Sequence, residues 1–507
     1  MKKKIITNIN ASKIISGLKK RGKKISMCHG VFDLLHVGHI DHFVETKSFS
    51  DILIVSITKD QYVNKGPNRP VFNLENRIKF LINIDKVDYV FVSPGPSAIE
   101  SIKILKPNFY VKGPDYKNFN DDITKKIQPE INEVKKYGGK VVFTTSATQS
   151  SSKLLNSNFE IYNEKQKKFI SNLKKKITTK EVLKKFKDFK KLNILVIGEM
   201  IIDQYNFCNA IGKSGKDPVL MLNELYSEKY IGGVAAIARN LSSFCKKITI
   251  LTAIGEKKEH LKFIEQKLEK NIKFDYITKK NSPTIIKTKF LDKLNLNKLF
   301  GTYKFNDDLV SLNEENNLIK KFKKYAKSHD LVLVSDYGHG MIGNKFAQIV
   351  CRLSPFLSVN AQVNAANIGY HGLHKYNNLK LIIINESELR QEFRSKHDNV
   401  KKLMIKLSKL KKMKYLVVTR GINGAILLNC SNKKFFECPA FANNAVDKIG
   451  SGDAMMSIIS LFLKTGNDEL MSLFASSLAA AQNVQTLANK KSLDDSKFLK
   501  SIDHMLK

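Results

Sequence analysis

The feature that most constrains the fold is an alternation of short apolar runs with stretches of helical periodicity, which occurs twice along the chain. In the first third, the apolar runs lie at residues 25–28, 52–57, 89–92, 109–111 and 141–144. Stretches between them, such as 74–84 and 97–104, carry apolar residues at helical spacing. Short buried strands that alternate with helices predict a parallel sheet covered on both faces. We therefore predict an α/β fold.

A second series of the same kind begins at residues 193–198. It continues at 248–252, 331–335, 381–384, 415–419 and 425–428. Two β-rich pieces, at 219–225 and 284–303, interrupt the alternation, and insertions of this kind often form a lid over a substrate. Between the two series the chain is polar and rich in lysine, so residues 157–190 are predicted to form a solvated helical connector.

Length and composition fit a folded enzyme-sized protein. A chain of 507 residues is too long for one ordinary core, and 42% hydrophobic with 26% charged residues is a globular composition. The 6 cysteines show no C-x-x-C pair and are interpreted as reduced thiols. No apolar run approaches bilayer length, and the start lacks the apolar stretch of a signal peptide. We expect a cytoplasmic protein without a membrane partner.

The formal net charge is +39, from 86 basic and 47 acidic residues. Such an excess invites a nucleic-acid interpretation. The lysines are, however, spread along the whole chain, there is no Trp, and no aromatic residues alternate with Arg as a base-stacking platform requires. Nucleic acid is therefore not expected as the main partner, and anionic small substrates fit the charge equally well.

The first candidate site is the run G-V-F-D-L-L-H-V-G-H at residues 30–39, which follows the first predicted strand. His36 and His39 are three residues apart and would project from one face of a helix, and Gly38 leaves room beside them. A helix N-terminus favours phosphate, and imidazoles can donate hydrogen bonds to a phosphate that gains charge. Taken alone, such a pair is more often a core or metal-binding pair.

In its strand-to-helix setting, this run resembles the signature of the cytidylyltransferase-like nucleotidyltransferases. The segments K-G-P-N-R-P at 65–70, E-N-R at 75–77, K-G-P-D-Y at 112–116 and S-S-S-K-L-L at 150–155 resemble further parts of that family. The resemblance implies that a substrate phosphate attacks the α-phosphorus of ATP or CTP and releases pyrophosphate, with Mg²⁺ bridging the phosphates. It implies catalytic roles for His36, His39 and Lys65, and nucleotide or phosphate binding by Gly30, Phe32, Asp33, Gly38, Arg69, Arg77, Lys112, Ser150, Ser151 and Ser152.

The second candidate site is D-K-I-G-S-G-D at residues 447–453, which leads into an apolar helix. The small residues Gly450, Ser451 and Gly452 would let backbone N–H groups approach a transferring phosphoryl group. Asp453 would then accept a proton from a hydroxyl nucleophile. By itself this run could equally be a glycine-rich turn with a capping Asp.

The run resembles the D-T-x-G-A-G-D signature of ribokinase-like (PfkB-type) sugar kinases, with Lys448 and Ile449 as departures. Four other segments resemble the family's motifs and occur in the family's order along the chain: Asp203, G-G at 232–233 through Asn240, N-E at 385–386 and T-R-G-I-N-G at 419–424. The resemblance implies ATP-dependent phosphorylation with Asp453 as the base and no direct metal motif, Mg²⁺ being held through phosphates with Glu386 as the protein candidate. It implies sugar binding by Asp203, Gly232, Gly233 and Asn240, and nucleotide or phosphate binding by Asn385, Glu386, Thr419, Gly421, Gly424, Gly450, Ser451 and Gly452.

The resulting prediction is a Rossmann-like nucleotidyltransferase domain at 1–156, the connector at 157–190, and a ribokinase-like α/β domain with a β lid at 191–507. The whole resembles the bifunctional heptose kinase/adenylyltransferases of lipopolysaccharide precursor synthesis, in reversed domain order. Their Asp-Pro-Lys element is replaced here by an Asn-rich stretch at 359–367, either a substrate wall or an ordinary polar loop.

We therefore expect a bifunctional enzyme that phosphorylates a sugar or sugar phosphate and then couples it to a nucleotide. Its partners would be these small molecules and nucleoside triphosphates. A homodimer stays open, since sugar kinases with β lids often pair through them. Two alternatives also stay open: a CDP-alcohol or polyol-phosphate cytidylyltransferase fused to a kinase of unrelated substrate, and a catalytically retired scaffold that binds anionic polymers.

Overall fold

A computed structural model describes residues 4–114, 127–145, 162–442 and 445–506. The chain forms two compact units. The first unit contains Met1–Ile170 together with Ser496–Lys507, and the second contains Ser171–Asp495. The last twelve residues, which the sequence analysis assigned to the second domain, thus belong to the first unit. In the described ranges, no helix is both long enough and apolar enough to cross a membrane.

The first unit is built on a parallel sheet of six strands within the described residues. The strand order is β1-β4-β3-β2-β5-β6. The predicted strands all appear, with ends within about two residues of those expected from the apolar runs. The bounds are β1 Ile5–Ile6, β2 Ile25–Gly30, β3 Ile52–Ile57, β4 Tyr89–Val92, β5 Phe109–Lys112 and β6 Lys140–Phe143.

Helices cover both faces of this sheet, as the alternation predicted. Neighbouring strand residues point to opposite faces, so Ile54 packs in one core and Val55 in the other. The first core includes Ile102, and the second includes Phe43 and Leu81. The helices are α1 Ala11–Lys20, α2 Val37–Ser48, α3 Leu74–Ile82, α4 Ala98–Leu105 and α5 Ile127–Lys136.

The connector contains two helices, α6 Glu164–Lys174 and α7 Thr179–Phe189. The prediction of a solvated connector is wrong for α7. Its apolar residues recur at helical spacing and are buried, and its two aromatic rings pack inside the second unit: Phe186 lies 5.5 Å from Phe244 and Phe189 lies 5.0 Å from Phe462, between ring centroids. Lys180, Lys184 and Lys187 of α7 are exposed.

The second unit has a central sheet of nine strands within the described residues, in the order β11-β10-β7-β14-β15-β16-β17-β18-β19. Pairing is parallel as far as β17 and antiparallel beyond it. Strand β15 was not predicted, because it lies at the start of the Asn-rich stretch. The bounds are β7 Asn193–Gly198, β10 Lys247–Gly255, β11 Ile272–Lys279, β14 Leu331–Asp336, β15 Leu357–Ala361, β16 Leu379–Asn385, β17 Met413–Thr419, β18 Ala425–Asn429 and β19 Lys434–Cys438.

A separate sheet in the second unit contains the β-rich insertions. Its order is β13-β12-β8-β9, and β8 and β9 form a long antiparallel pair. This lid sheet consists of β8 Met200–Lys213, β9 Leu220–Gly233, β12 Ile285–Asp292 and β13 Lys298–Lys304. The helices of this unit are α8 Val234–Ser242, α9 Leu261–Lys267, α10 Leu312–Ala326, α11 Asn344–Leu353, α12 Glu386–Glu392, α13 Val400–Leu410, α14 Ser451–Lys464 and α15 Glu469–Asn483.

Candidate active sites

The strand order of the first unit places a crevice at the carboxyl end of β2. Strand β2 pairs with β3 on one side and with β5 on the other, so the connections leave this point in opposite directions. Ligands of open α/β sheets bind at such a reversal, outside the carboxyl ends of the strands. Gly30 ends β2 and Lys112 ends β5, which brings two of the predicted site residues to this edge.

His36 and His39 lie together at the start of α2. His36 is the N-cap residue, and its carbonyl accepts a hydrogen bond from the His39 N–H at 2.8 Å. The two imidazole rings are 4.0 Å apart between centroids, and the Phe32 ring meets His39 edge-on at 5.4 Å. A Cβ at Gly30 would lie 3.1 Å from the Phe32 ring, so glycine leaves the space that this ring needs.

These histidines open onto a cavity of about 330 Å³. The structure brings seven of the predicted residues to its lining: Gly30, Phe32, His36, Gly38, His39, Lys65 and Lys112. The Lys112 ammonium lies 3.2 Å from a Glu130 carboxylate oxygen. Ser150, Ser151 and Ser152 lie outside the described residues, as do positions 115 and 116 of the segment that begins at Lys112.

Three other predicted phosphate-binding residues have partners within the protein instead. Asp33 is fully buried and accepts hydrogen bonds from Arg69 Nε at 2.7 Å and from the backbone N–H groups of Val71 and Phe72. The buried Arg77 guanidinium donates to the carbonyl oxygens of Val31, Phe72 and Thr58 and to Asp60. Asp33, Arg69 and Arg77 thus fix the loops around the cavity and are not part of its lining.

Sequence reasoning missed a second set of lining residues, on the last helix. Helix α16, Asp495–Leu506, places Ser496, Lys497, Lys500 and His504 at the same cavity. The signal was present as basic residues at positions i, i+3 and i+7, the spacing of one helix face. It was overlooked because these residues lie more than 300 positions beyond the motif that they accompany.

Three of the histidines that line the cavity have pKa values below the ordinary value. Burial, together with charge repulsion from His36, Lys65 and His42, lowers the pKa of His39 to about 3. Burial and Lys112 likewise lower the pKa of His42 to about 4, and burial and Lys65 lower that of His36. Neutral imidazoles among lysines are poised to gain protons when an anion enters, because its charge favours the protonated ring.

In the second unit, Asp453 lies in the first turn of α14. Its Oδ1 accepts a hydrogen bond from the Tyr337 hydroxyl at 3.2 Å. The pKa of Asp453 is raised to about 7, mainly by burial and also by the nearby Asp203, while Tyr337 and Lys287 oppose the rise. A carboxylate with a pKa near neutrality at a helix N-terminus has the properties of a general base.

Asp203 lies on β8 and is 5% exposed. It accepts from Lys289 Nζ at 3.2 Å. A Cβ at Gly232 would lie 2.3 Å from Asp203 Oδ2, so this position needs glycine for the carboxylate to stand where it does. Lys287, on the same strand as Lys289, is largely buried; burial lowers its pKa, while Asp203, Glu199 and Asp453 raise it. Sequence reasoning missed both lysines because they lie in the lid.

The remaining residues near the second motif support the backbone. Gly450 has φ of 80°, and a Cβ there would lie 2.1 Å from Asn489 Oδ1. The Ser451 hydroxyl donates to the Lys448 carbonyl, and Gly452 is exposed. Gly233, with φ of 56°, N-caps α8. In that helix the buried Asn240 accepts from Leu493 N–H at 3.1 Å, which is a structural contact.

The predicted nucleotide-side residues gather at the carboxyl ends of β16 and β17. Asn385 and Thr419 are paired in the sheet, and the turn after Thr419 contains Gly421 and Gly424, both at positive φ. The Glu386 carboxylate already pairs with Arg390 at 2.7 Å and with Arg420 at 2.8 Å. The described residues contain no group of three side chains suited to hold a metal ion.

The Asn-rich stretch behaves as structural support. Asn360 lies in β15 and donates to the Ile383 carbonyl at 2.8 Å. Asn364 and Asn367 both donate to the Tyr337 carbonyl at 2.8 Å. Of the two interpretations left open by the sequence, these contacts favour the supporting loop, because the amide donors already bind backbone. They hold in place the residue that contacts Asp453.

Residues 191–495, more than half of the chain, match the pfkB family of carbohydrate kinases. This chain belongs to that family. Residues 27–174 match the cytidylyltransferase-like family. The two matches coincide with the regions that carry the two candidate sites, and they confirm the fold class predicted from the sequence.

Among curated relatives, bifunctional protein HldE of Aliarcobacter butzleri is 37% identical over 135 residues, which are 26% of this chain and 28% of that protein. The protein of the same name from Campylobacter jejuni serotype O:6 is 25% identical over 321 residues, 62% of this chain and 66% of that protein. Each match spans less than two thirds of the relative's own length.

Among solved structures, phosphofructokinase-2 from Escherichia coli resembles the chain with a TM-score of 0.49 at 15% identity, over 61% of this chain and 97% of that one. The family assignment rests on the match over residues 191–495.

Proposed function

We propose that the protein is a bifunctional sugar-activating enzyme. The second unit phosphorylates a sugar substrate with ATP, and the first unit transfers a nucleotidyl group from ATP or CTP to a sugar phosphate. The observation that carries the proposal is that each unit presents, at the N-terminal end of a helix, the side chains that its chemistry needs: Asp453 in one, and His36 with His39 in the other. The relatives named bifunctional protein HldE support the pairing of the two activities.

In the kinase reaction, Asp453 accepts the proton of the attacking sugar hydroxyl. The hydroxyl oxygen forms a bond to the γ-phosphorus, the bond to the bridging oxygen breaks, and ADP leaves. Asp203 receives hydrogen bonds from other sugar hydroxyls. The backbone N–H groups that follow Gly450 face the developing charge. Magnesium, when bound to the phosphates, neutralises part of their charge.

The charges near Asp203 favour a phosphorylated sugar as the substrate. Lys287 and Lys289 extend from the same lid strand towards Asp203, and Lys287 also lies over the Tyr303 and Tyr337 rings at 5.2 and 5.5 Å. A phosphate ester can pair with these largely buried ammonium groups, whereas a neutral sugar offers them no charge. Replacing Lys287 with Met should raise KM for sugar phosphates and leave that for neutral sugars unchanged.

In the transferase reaction, an oxygen of the sugar phosphate attacks the α-phosphorus of the nucleotide. The bond between the α-phosphorus and the bridging oxygen breaks, and pyrophosphate leaves with its electron pair. His36, His39 and Lys65 bind the phosphate oxygens and stabilise the charge that develops there. The two imidazoles are neutral before an anion enters, so they can take up protons as this charge grows.

The test is identification of the products by mass spectrometry after incubation with ATP, CTP and a panel of sugars, sugar phosphates and phosphoalcohols. We expect ADP and a sugar phosphate from one reaction, and pyrophosphate and a nucleotide-sugar from the other. A CDP-alcohol among the products would favour the polyol alternative. Neither product with any substrate would contradict both proposed activities.

Two single variants separate the active sites. Asp453→Asn should abolish ADP formation and spare pyrophosphate release, because only the kinase step needs that base. His39→Ala should do the reverse. A protein that binds RNA in a salt-sensitive manner, unaffected by either change and without turnover, would instead match the scaffold alternative.

We propose further that the protein forms a homodimer through its lid sheet. Several large apolar side chains on this sheet are exposed: Ile211, Leu220, Met221, Tyr226 and Phe300. Large exposed apolar side chains are typical of interaction surfaces. Light scattering should give twice the monomer mass, and Met221→Glu together with Phe300→Glu should return it to the monomer mass. A wild-type monomer at micromolar concentration would contradict this proposal.

A further inference from the structure

We propose that the C-terminal helix α16 is part of the nucleotidyl-transfer site, and that Lys497, Lys500 and His504 bind phosphate groups there. The inference rests on the proposed transferase activity and deepens it. It assigns residues that the cytidylyltransferase-like match does not contain, because that match ends at residue 174.

The helix has one basic face and one apolar face. At 100° per residue, positions 497, 500 and 504 fall within about 60° of one another. Phe498, Ile502 and Met505 lie on the other side and are buried. The basic residues are therefore presented together by a helix whose opposite side is anchored in the protein.

The buried side of α16 packs beside the loop at residues 65–70. A Cβ built at Gly66 would lie 3.6 Å from Met505 Cγ, so Met505 packs against the loop that carries Lys65. The basic face then lines the same cavity as His36 and His39. Residues from the two ends of the sequence thus face one ligand space.

The charge of the lining indicates the ligand. Glu130 is the one acidic residue among the described residues that line the cavity, and Lys112 pairs with it at 3.2 Å. The other ionisable side chains are lysines and histidines, apart from one tyrosine. Nucleotidyl transfer brings two anionic substrates into one site, a triphosphate and a phosphate ester that carries close to two charges. His36, His39 and Lys65 form one basic cluster, which binds one of these substrates. The basic face of α16 supplies a second cluster for the other.

The experiment uses the full chain with Lys497→Gln, Lys500→Gln and the double change. Lys497→Arg with Lys500→Arg keeps the charge, and Lys135→Gln removes an exposed lysine of the same unit that does not line the cavity. Steady-state pyrophosphate release is measured against nucleotide and against sugar phosphate. Calorimetric binding of pyrophosphate and of inorganic phosphate is measured without turnover, and the part lost in His39→Ala is assigned to this cavity.

Each Gln change should weaken binding of the affected substrate about tenfold, as expected for the loss of a charge-assisted hydrogen bond to phosphate. The Arg pair should retain most of the affinity, and ADP formation by the second unit should stay within twofold. A higher KM for nucleotide with weaker pyrophosphate binding assigns the helix to the triphosphate. A higher KM for sugar phosphate with weaker phosphate binding and unchanged pyrophosphate binding assigns it to the acceptor.

Values within twofold of Lys135→Gln in all these measurements would overturn the inference. Lys497 is exposed, so its single replacement tests the charge even if the double variant does not fold. Failure of the proposed function would give a different result. A wild type that binds pyrophosphate but releases none with any acceptor would contradict the proposed transferase activity. The binding measurements on the variants would still test the role of α16.

Discussion

Asp453→Asn should stabilise the protein while it abolishes phosphorylation. The carboxylate lies in the first turn of α14, beside Asp203, with Tyr337 and Lys287 as its stabilising neighbours. Burial and Asp203 outweigh these neighbours, so the charged form is disfavoured in the folded state. Asn has the same shape without the charge and can still accept the Tyr337 hydrogen bond.

The magnitude follows from the pKa of Asp453. A rise from the ordinary 3.8 to about 7 corresponds to roughly 4 kcal/mol at about 1.4 kcal/mol per unit. Because the side chain keeps some contact with solvent, we expect a gain of about 2–4 kcal/mol. The unfolded chain loses this proton near pH 4 and the folded chain near pH 7, so the free energy of unfolding of the wild type falls as pH rises through this window. The Asn variant lacks that fall.

The assay is calorimetric unfolding at pH 4, 6 and 8, with Asp447→Asn as the matched control from the same motif. The pKa of Asp447 is shifted in the opposite direction from that of Asp453. Although burial raises its pKa, hydrogen bonds from Lys298 at 2.6 Å and from the Tyr205 hydroxyl at 2.8 Å lower it below the ordinary value. Its charge therefore stabilises the fold above pH 4, and Asn there should cost about 1–3 kcal/mol. This loss should fade as pH falls through the folded pKa.

The kinase rate gives an independent measurement of the same pKa. With a base that titrates near 7, kcat/KM for ADP formation should fall about tenfold per pH unit below neutrality and level off above it. If Asp453→Asn is less stable than the wild type at pH 8, or equally stabilised at pH 4, the assignment of a destabilising buried charge is wrong.

Three further predictions concern packing. Gly232→Ala should lower kcat/KM of phosphorylation at least tenfold in an ADP-release assay and leave pyrophosphate release unchanged, because its Cβ would stand 2.3 Å from Asp203 Oδ2; full activity would show that Asp203 need not stay in place. Arg77→Met should destabilise the first unit by about 3–5 kcal/mol in urea unfolding, since it leaves the carbonyl groups and Asp60 without their buried partner; a loss below about 1 kcal/mol would refute this. Phe186→Ala should cost about 3 kcal/mol in calorimetry of the second unit, whereas a freely solvated connector would show no change.

Much of the fold could be predicted from the sequence because buried parallel strands are short apolar runs. Residues 52–57, 89–92 and 193–198 form strands with the expected bounds. Strand β15, Leu357–Ala361, escaped because Ser358 and Asn360 interrupt its apolar run, and β8 escaped because its outer half is polar and exposed. Apolar periodicity indicates such strands poorly, because pairing with neighbouring strands, and not an apolar pattern of their own, holds them in the sheet.

The motifs likewise indicated where the sites lie but not which side chains face them. Spacing placed Arg69 and Arg77 near the first motif, and in the structure Arg69 Nε donates to Asp33 while the Arg77 guanidinium donates to Asp60 and backbone carbonyls. A charged residue near a motif can bind a ligand or hold a loop, and the two roles have the same local sequence. Lys287 reaches Asp203, and Lys497 reaches the cavity of the first unit, only through tertiary structure. A local pattern could therefore show a basic helix face but not the site that it lines.

The membership of residues 496–507 in the first unit has a consequence for biosynthesis. Strands β1 to β6 leave the ribosome early, yet α16, which belongs to the same unit, is translated after the second unit. If α16 completes the transfer site, a nascent or prematurely terminated chain could phosphorylate but not couple. Nucleotidyl transfer would then be confined to chains that have been synthesised through α16.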